Sequence, residues 1–193
     1  MLKCCSLYSG STGNSFFVQT EETKLLIDAG VSCKKIESAL TNIGIEPKEI
    51  DAILVTHEHI DHTKGICVLS SRYNIPIYAN KETWNSLIVS NNKLNNCIIN
   101  YFQNDIQFEL NDLKILPFST PHDAINPCGF NIFKDSKKIS IATDIGHMSP
   151  NLIKNLENSS LLMIEANYDS DVLKYSSYPY LLKKRIAGPN RSP

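Results

Sequence analysis

The stretch "AILVTHEHIDH", residues 52–62, places three histidines and two acidic residues directly after a short apolar run. A run of aliphatic and β-branched residues bounded by polar residues is typical of a buried strand. On an extended chain, His57 and His59 lie two positions apart and point to the same side, and Asp61 follows on that side. The sequence therefore predicts a buried strand that ends in a cluster of ligand-type side chains.

Apolar runs of strand length recur along the chain and alternate with helical patterns. We expect strands within residues 3–10, 13–20, 23–30, 50–59, 75–80, 97–103, 105–110, 113–120, 128–134, 137–144 and 160–169, and helices within 34–44, 65–74, 81–91 and 149–159. The first two strands flank a Gly/Ser/Thr turn, which predicts a hairpin. Hairpin strands, then alternating strands and helices, then a meander, favour an α+β fold in which helices cover a β-sandwich (αββα). We expect one domain over residues 1–193.

Composition excludes several classes of protein. The net charge is −1, so the protein as a whole does not attract nucleic acid or membranes. A local basic surface is still compatible with this net charge. No apolar run has transmembrane length and no signal-peptide pattern opens the chain, so we expect a cytoplasmic protein. The six cysteines are scattered without a Cys-x-x-Cys pair, which favours reduced, mostly buried thiols over a cysteine zinc site.

The histidine cluster favours a metal site over a solvated polar loop. Imidazole nitrogens and carboxylate oxygens together suit zinc, manganese or iron(II). His57, His59 and His62 are three of only five histidines in the chain. A concentration of this kind at the end of a hydrophobic strand predicts metal binding.

Four stretches in chain order resemble one known family. "HEHIDH" resembles the His-x-His-x-Asp-His signature of the metallo-β-lactamase fold hydrolases, and "LLIDAG" (25–30), "STPHDA" (119–124) and "SIATDIG" (140–146) are similar to further segments of that family. "SLYSGSTGNSFFVQT" and "STPHDAINPCGFNIF" narrow the resemblance to the YycJ/WalJ-like subfamily, which is regarded as DNA exonucleases. The resemblance covers nearly the whole chain and implies the αββα fold.

The resemblance implies a dinuclear metal site. According to this resemblance, one ion is bound by His57, His59 and His122. A second ion is bound by Asp61 and His62, and Asp144 bridges the two ions. Two divalent ions, Zn²⁺ or Mn²⁺, are expected, and Asp61 is also expected to orient the attacking water. For His122 a surface loop, and for Asp144 a plain turn, are the structural alternatives.

Three further residues are predicted to support the site or contact substrate. Asp28 either orients a ligand histidine or simply ends its strand in a turn. Asn14 either donates to a phosphate or belongs to a plain hairpin turn. Asn167 is a third candidate, and the neighbouring Tyr168 departs from the subfamily, where a histidine is expected. The basic run at 183–185 either contacts a nucleic-acid backbone or forms a solvated helix face.

The resemblance also implies one more metal histidine near the C-terminus, and no histidine follows His147. We therefore expect the last C-terminal elements of the family to be missing, with a weakened second metal site and weak activity. A frameshift, a natural short form and a deliberately shortened chain all account for this ending.

The leading functional hypothesis is a metal-dependent phosphodiesterase that removes nucleotides from 5′ ends of DNA. The motifs support metal-dependent hydrolysis, whereas the choice of DNA as the nucleic-acid partner follows from the subfamily resemblance alone. A thioester or lactone hydrolase of the same fold, an RNA nuclease and a non-enzymatic remnant are the alternatives. A broad basic groove would favour nucleic acid, and a closed apolar pocket would favour a small ester.

Overall fold

A computed structural model of the protein describes residues 1–164 together with residues 180 and 183. Two β-sheets pack face to face and helices cover their outer sides. Of the sequence-predicted residues, Asn167, Tyr168 and the basic positions 184 and 185 lie outside the described residues. Among the residues that are described, no helix is long and apolar enough to span a bilayer.

In the part of the chain that the structure describes, the first sheet has six strands in chain order. They are β1 (Lys3–Tyr8), β2 (Ser15–Gln19), β3 (Lys24–Ile27), β4 (Ala52–Leu54), β5 (Ile77–Asn80) and β6 (Ile99–Phe102). β1, β2 and β3 pair antiparallel, which confirms the predicted hairpin, and β3 to β6 pair parallel. Parallel pairing brings the carboxyl ends of β3 and β4 to the same edge of the sheet.

The second sheet has five strands among the described residues. They are β7 (Phe108–Leu110), β8 (Leu113–Ser119), β9 (Cys128–Lys134), β10 (Lys137–Ala142) and β11 (Leu161–Ile164). β7 to β10 form an antiparallel meander, and β11 adds parallel to β10. The sequence predicts that residues 97–103 open this meander. That prediction is wrong, because β6 pairs with β5 and closes the first sheet instead.

Within residues 1–164, five α-helices connect the strands. They are α1 (Cys33–Asn42), α2 (Ile60–Thr63), α3 (Ile66–Tyr73), α4 (Lys81–Ser90) and α5 (Pro150–Leu156), with 3-10 turns at Pro47–Glu49 and Asn92–Asn96. α5 begins as predicted, since the Ser149 hydroxyl accepts a hydrogen bond from the Leu152 N–H at 3.2 Å. Pro150 fills the first helical position, where a missing N–H costs nothing.

The sequence forms a sandwich because the central strands are apolar on both faces. In β2 and β3, Phe16, Val18 and Ile27 point into the core between the sheets, while Phe17 and Leu26 point the other way. The second face packs under α1, α3 and α4, and α5 covers the outer side of the second sheet. The predicted αββα architecture is confirmed.

Candidate metal centre

The predicted site residues converge at one edge of the sandwich, just beyond the ends of four strands. Asp28 follows β3, the histidine cluster follows β4, His122 follows β8 and Asp144 follows β10. β4 ends at Leu54, several residues earlier than the sequence predicts. His57 and His59 therefore lie on a loop after the strand rather than on it.

The first cluster contains His57, His59 and His122. The Nδ1 atom of His59 lies 3.1 Å from Nε2 of His57 and 3.1 Å from Nε2 of His122. One ligand atom of each residue falls within 4.8 Å of the other two. His57 is buried and its two partners are partly exposed. Three imidazole nitrogens facing one point are a donor set that suits Zn²⁺ and leaves a position for substrate or water.

The second cluster contains His57, His62 and Asp144, all buried. Nε2 of His62 lies 2.8 Å from an Asp144 carboxylate oxygen. Asp144 has a positive φ of 53°, a backbone conformation in which aspartate is enriched among non-glycine residues. His57 belongs to both clusters, so two ions held here would be neighbours.

Asp61 and Asn14 lie at the margin of the second cluster. An Asp61 carboxylate oxygen is 3.5 Å from Nε2 of His62, and its side chain is 28% exposed. Asp61 is therefore close enough to the cluster to contact a bound water, although it belongs to neither group of three. Asn14 Nδ2 lies 3.1 Å from Nε2 of His62, and the Asn14 N–H donates to the Asp61 carbonyl at 2.7 Å. Asn14 thus fixes the loop around Asp61.

Asp28 contacts Thr56 and His62 on the buried side of the site. One carboxylate oxygen accepts the Thr56 N–H at 2.9 Å, and the other accepts the Thr56 hydroxyl at 2.8 Å and lies 2.8 Å from Nδ1 of His62. The residue is fully buried with a φ of 62°. Asp28 thus ends β3 in a turn, and its carboxylate also restrains the His62 ring, as an orienting role requires.

Gly30 allows the segment that carries Asp61 to pass close to the chain just after β3. A Cβ at this position would lie 1.5 Å from the Asp61 carbonyl oxygen, a distance that no side chain can occupy. The Gly30 N–H also donates to the Asn14 carbonyl at 2.8 Å. The glycine of "LLIDAG" is therefore required by the close approach of three chain segments.

A polar network fixes the loop that carries His122. Glu58 accepts the Ile125 N–H at 2.9 Å, which ties this loop to the histidine cluster. The Asn80 amide donates to the Asn126 carbonyl at 2.7 Å, and the Asn104 amide donates to the Asn126 side chain at 2.9 Å. These contacts hold the loop on which Nε2 of His122 lies 3.1 Å from Nδ1 of His59.

His62 differs from His57 and His122 in its protonation at neutral pH. Burial lowers the pKa of His57 well below its ordinary value, and the neighbouring His62 lowers it further. Burial also lowers the pKa of His122. Burial lowers the pKa of His62 as well, but the carboxylates of Asp28 and Asp144 outweigh it and raise that pKa to about 10. At neutral pH, His57 and His122 are free bases, whereas His62 carries a proton in the metal-free protein.

We expect a divalent ion at the second cluster to displace that proton. Because only the neutral imidazole is a ligand, affinity at this cluster should rise with pH, by up to about tenfold per unit until the pH nears the His62 pKa. Titration calorimetry in buffers of different ionisation enthalpy should record about one proton released per ion at this cluster near neutral pH. An affinity that stays constant from about pH 7 to 9 would contradict this assignment.

Comparison with known proteins identifies the family. A model of the beta-lactamase superfamily domain matches residues 23–178. Exodeoxyribonuclease WalJ of Streptococcus pneumoniae is 40% identical over 182 residues, which cover 93% of this chain and 68% of WalJ. The chain belongs to the metallo-β-lactamase superfamily.

A second relative and one solved structure are also similar to this chain. Exodeoxyribonuclease YycJ of Bacillus anthracis is 35% identical over 182 residues, again 93% of this chain and 68% of the relative. The Zn²⁺-bound PqqB of Methylobacterium extorquens superposes with a TM-score of 0.71 at 19% identity, over 84% of this chain and 64% of PqqB. The similarity to PqqB establishes the fold alone.

Several residues that shape this metallo-β-lactamase site are not predicted by the sequence analysis. Thr56 links Asp28 to the cluster, and its hydroxyl also lies 2.9 Å from Nδ1 of His57. Its position directly before the first histidine was the only available signal. Glu58 and Asn126 lie inside stretches that resemble the family, but their supporting roles depend on contacts between segments that are far apart in sequence.

Proposed function

We propose that this chain is a metal-dependent phosphodiester hydrolase that acts on DNA as a 5′-to-3′ exonuclease. The observation that carries the proposal is the pair of adjoining clusters that share His57, since two neighbouring ions suit an in-line displacement at a phosphodiester. The exodeoxyribonuclease names of WalJ and YycJ support DNA as the substrate.

The donor set fits two divalent ions such as Zn²⁺ or Mn²⁺. His57, His59 and His122 would hold the first ion, and His57, His62 and Asp144 contribute donors toward the second. When bound, such ions lower the pKa of water and neutralise charge on phosphate oxygens. The protein supplies the orientation: Asp28 sets His62, Glu58 holds the His122 loop, and Asn14 holds Asp61.

Asp61 is the proposed catalytic residue. Its partly exposed carboxylate lies beside the second cluster, where it can orient the attacking water and take its proton. We also propose a cytoplasmic location, because all six cysteines are free thiols, as is usual in a reducing compartment.

The test is hydrolysis of end-labelled oligonucleotides with added Mn²⁺ or Zn²⁺. We expect mononucleotides to be released from the 5′ end of DNA, with little turnover of RNA, and a His59→Ala variant to be inactive. Release from the 3′ end would overturn the polarity, and preferred turnover of RNA would overturn the substrate. Equal rates for wild type and His59→Ala would contradict metal-dependent hydrolysis by this chain. Rapid cleavage of thioesters or lactones without cleavage of DNA would favour a small-molecule hydrolase of the same fold.

A further inference from the structure

Three exposed apolar side chains lie on the three chain segments that carry the candidate metal ligands. Ile60 is 69% exposed and follows His59, Ile125 is 60% exposed and lies three residues after His122, and Met148 is 50% exposed and lies four residues after Asp144. None of the three belongs to the hydrophobic core of the described residues. We call this set, Ile60, Ile125 and Met148, the apolar rim.

The three loops are joined by hydrogen bonds near the rim. The Ile125 N–H donates to the Glu58 carboxylate at 2.9 Å, two residues before Ile60. The Gly146 N–H donates to the Pro121 carbonyl at 2.8 Å, which joins the loop of Met148 to that of His122. The rim is therefore attached to loops that are held in place around the site.

We propose that the apolar rim contacts the nucleobases next to the phosphodiester that is cleaved. This inference rests on the proposed function. A large apolar side chain left in water forfeits the free energy of burial, so three such side chains close in sequence to candidate metal ligands are available for contact with a substrate. A nucleotide whose phosphate lies at the metal clusters carries its base only one sugar away, at the height of the surrounding loops.

The chemistry of the rim fits nucleobases of any sequence. Every base has an apolar face, and contacts to that face bind single strands with little sequence preference. Isoleucine and methionine are among the side chains that proteins insert between neighbouring bases. The ligand histidines and Asp61 would act on the phosphate, so the rim supplies apolar contacts to the base that the polar site lacks.

The experiment compares two DNA substrates that differ only in whether the 5′-terminal nucleotides carry bases or are abasic. For the wild type, we expect KM for the abasic substrate to be about tenfold higher, with kcat little changed. A triple variant, Ile60→Thr with Ile125→Thr and Met148→Gln, should show the higher KM for both substrates, because the contact with the base is already lost. Val89→Thr is the matched control, since Val89 is 90% exposed on α4 and lies outside the rim.

Equal KM values for the two substrates in the wild type would overturn the proposed contact between the rim and the bases. The proposed nuclease activity would be unaffected by that result. A fall in kcat and metal content of the triple variant would also overturn it, because the rim would then only support the metal clusters. A change in elution volume of the triple variant with unchanged KM would identify the rim as a contact between copies of the chain.

If the wild type cleaves no DNA, the proposed function fails and binding of a labelled single strand tests the rim alone. Binding that the triple variant loses would support the rim, and absence of binding in the wild type would overturn it.

Discussion

Replacing His57 with alanine is expected to abolish metal-dependent hydrolysis by this chain. His57 contributes to both ligand clusters, so a single substitution removes a donor from each. Even residues that merely orient metal ligands cost 10–100-fold when mutated, so loss of a shared ligand should reduce turnover by more than about a hundredfold. The measurement is the rate of bis-p-nitrophenyl phosphate hydrolysis at saturating Mn²⁺, together with metal content by mass spectrometry.

The sequence supplies a matched control for His57. His147 is the one histidine outside both clusters, and it is exposed. We expect His147→Ala to retain the metal content and turnover of the wild type, whereas His57→Ala loses both. A His57→Ala variant that still binds two ions per chain and turns over normally would refute the shared-ligand arrangement.

The local patterns predict most of the elements, and their long-range pairing is what the sequence leaves open. The strands β2 and β3 are recognisable because both of their faces are apolar, and α5 is recognisable from its serine cap and Pro150. The error at β6 arose because a strand that continues a parallel sheet has the same local pattern as one that opens a meander. Only contact with β5, more than 20 residues earlier in the sequence, separates the two arrangements.

The same distinction applies to the site. The spacing of the histidines after β4 indicates a metal centre, because that residue combination has few structural uses. The sequence alone does not show that His57 faces both His59 and His62, since this depends on how the loop turns into α2. It also does not reveal Glu58 as a support for the His122 loop, because that contact spans 67 positions.

Replacing Asp28 with alanine is expected to lower the free energy of unfolding more than the other substitutions proposed for this protein. The carboxylate is fully buried and receives the N–H and the hydroxyl of Thr56, beside Nδ1 of His62. Its removal leaves a protonated, buried His62 without one of its three neighbouring carboxylates. Breaking a buried charge pair in this way typically costs about 3–5 kcal/mol in the free energy of unfolding. Alanine is also disfavoured at the φ of 62° that Asp28 adopts.

Asp28→Asn separates the charge from the backbone strain, because asparagine tolerates a positive φ and can still accept the Thr56 N–H. We expect it to lose less stability than Asp28→Ala in urea denaturation of the metal-free protein. The pH dependence gives a second, independent signature. The pKa of His62 rises from its ordinary 6.5 to about 10 on folding, so its contribution to stability is fully present below pH 6.5 and is lost as the pH rises through 10.

Both Asp28 variants should therefore flatten the decline in stability that the metal-free wild type shows across the alkaline range. Removing Asp28 lowers the folded pKa of His62 toward its unfolded value, because the Asp28 charge is the first of the influences that raise it. If the variants kept the wild-type alkaline slope, the stabilisation would come from the Thr56 hydrogen bonds alone. The role of Asp28 in setting the charge of His62 would then be refuted, since linkage requires the slope to follow the shift in pKa.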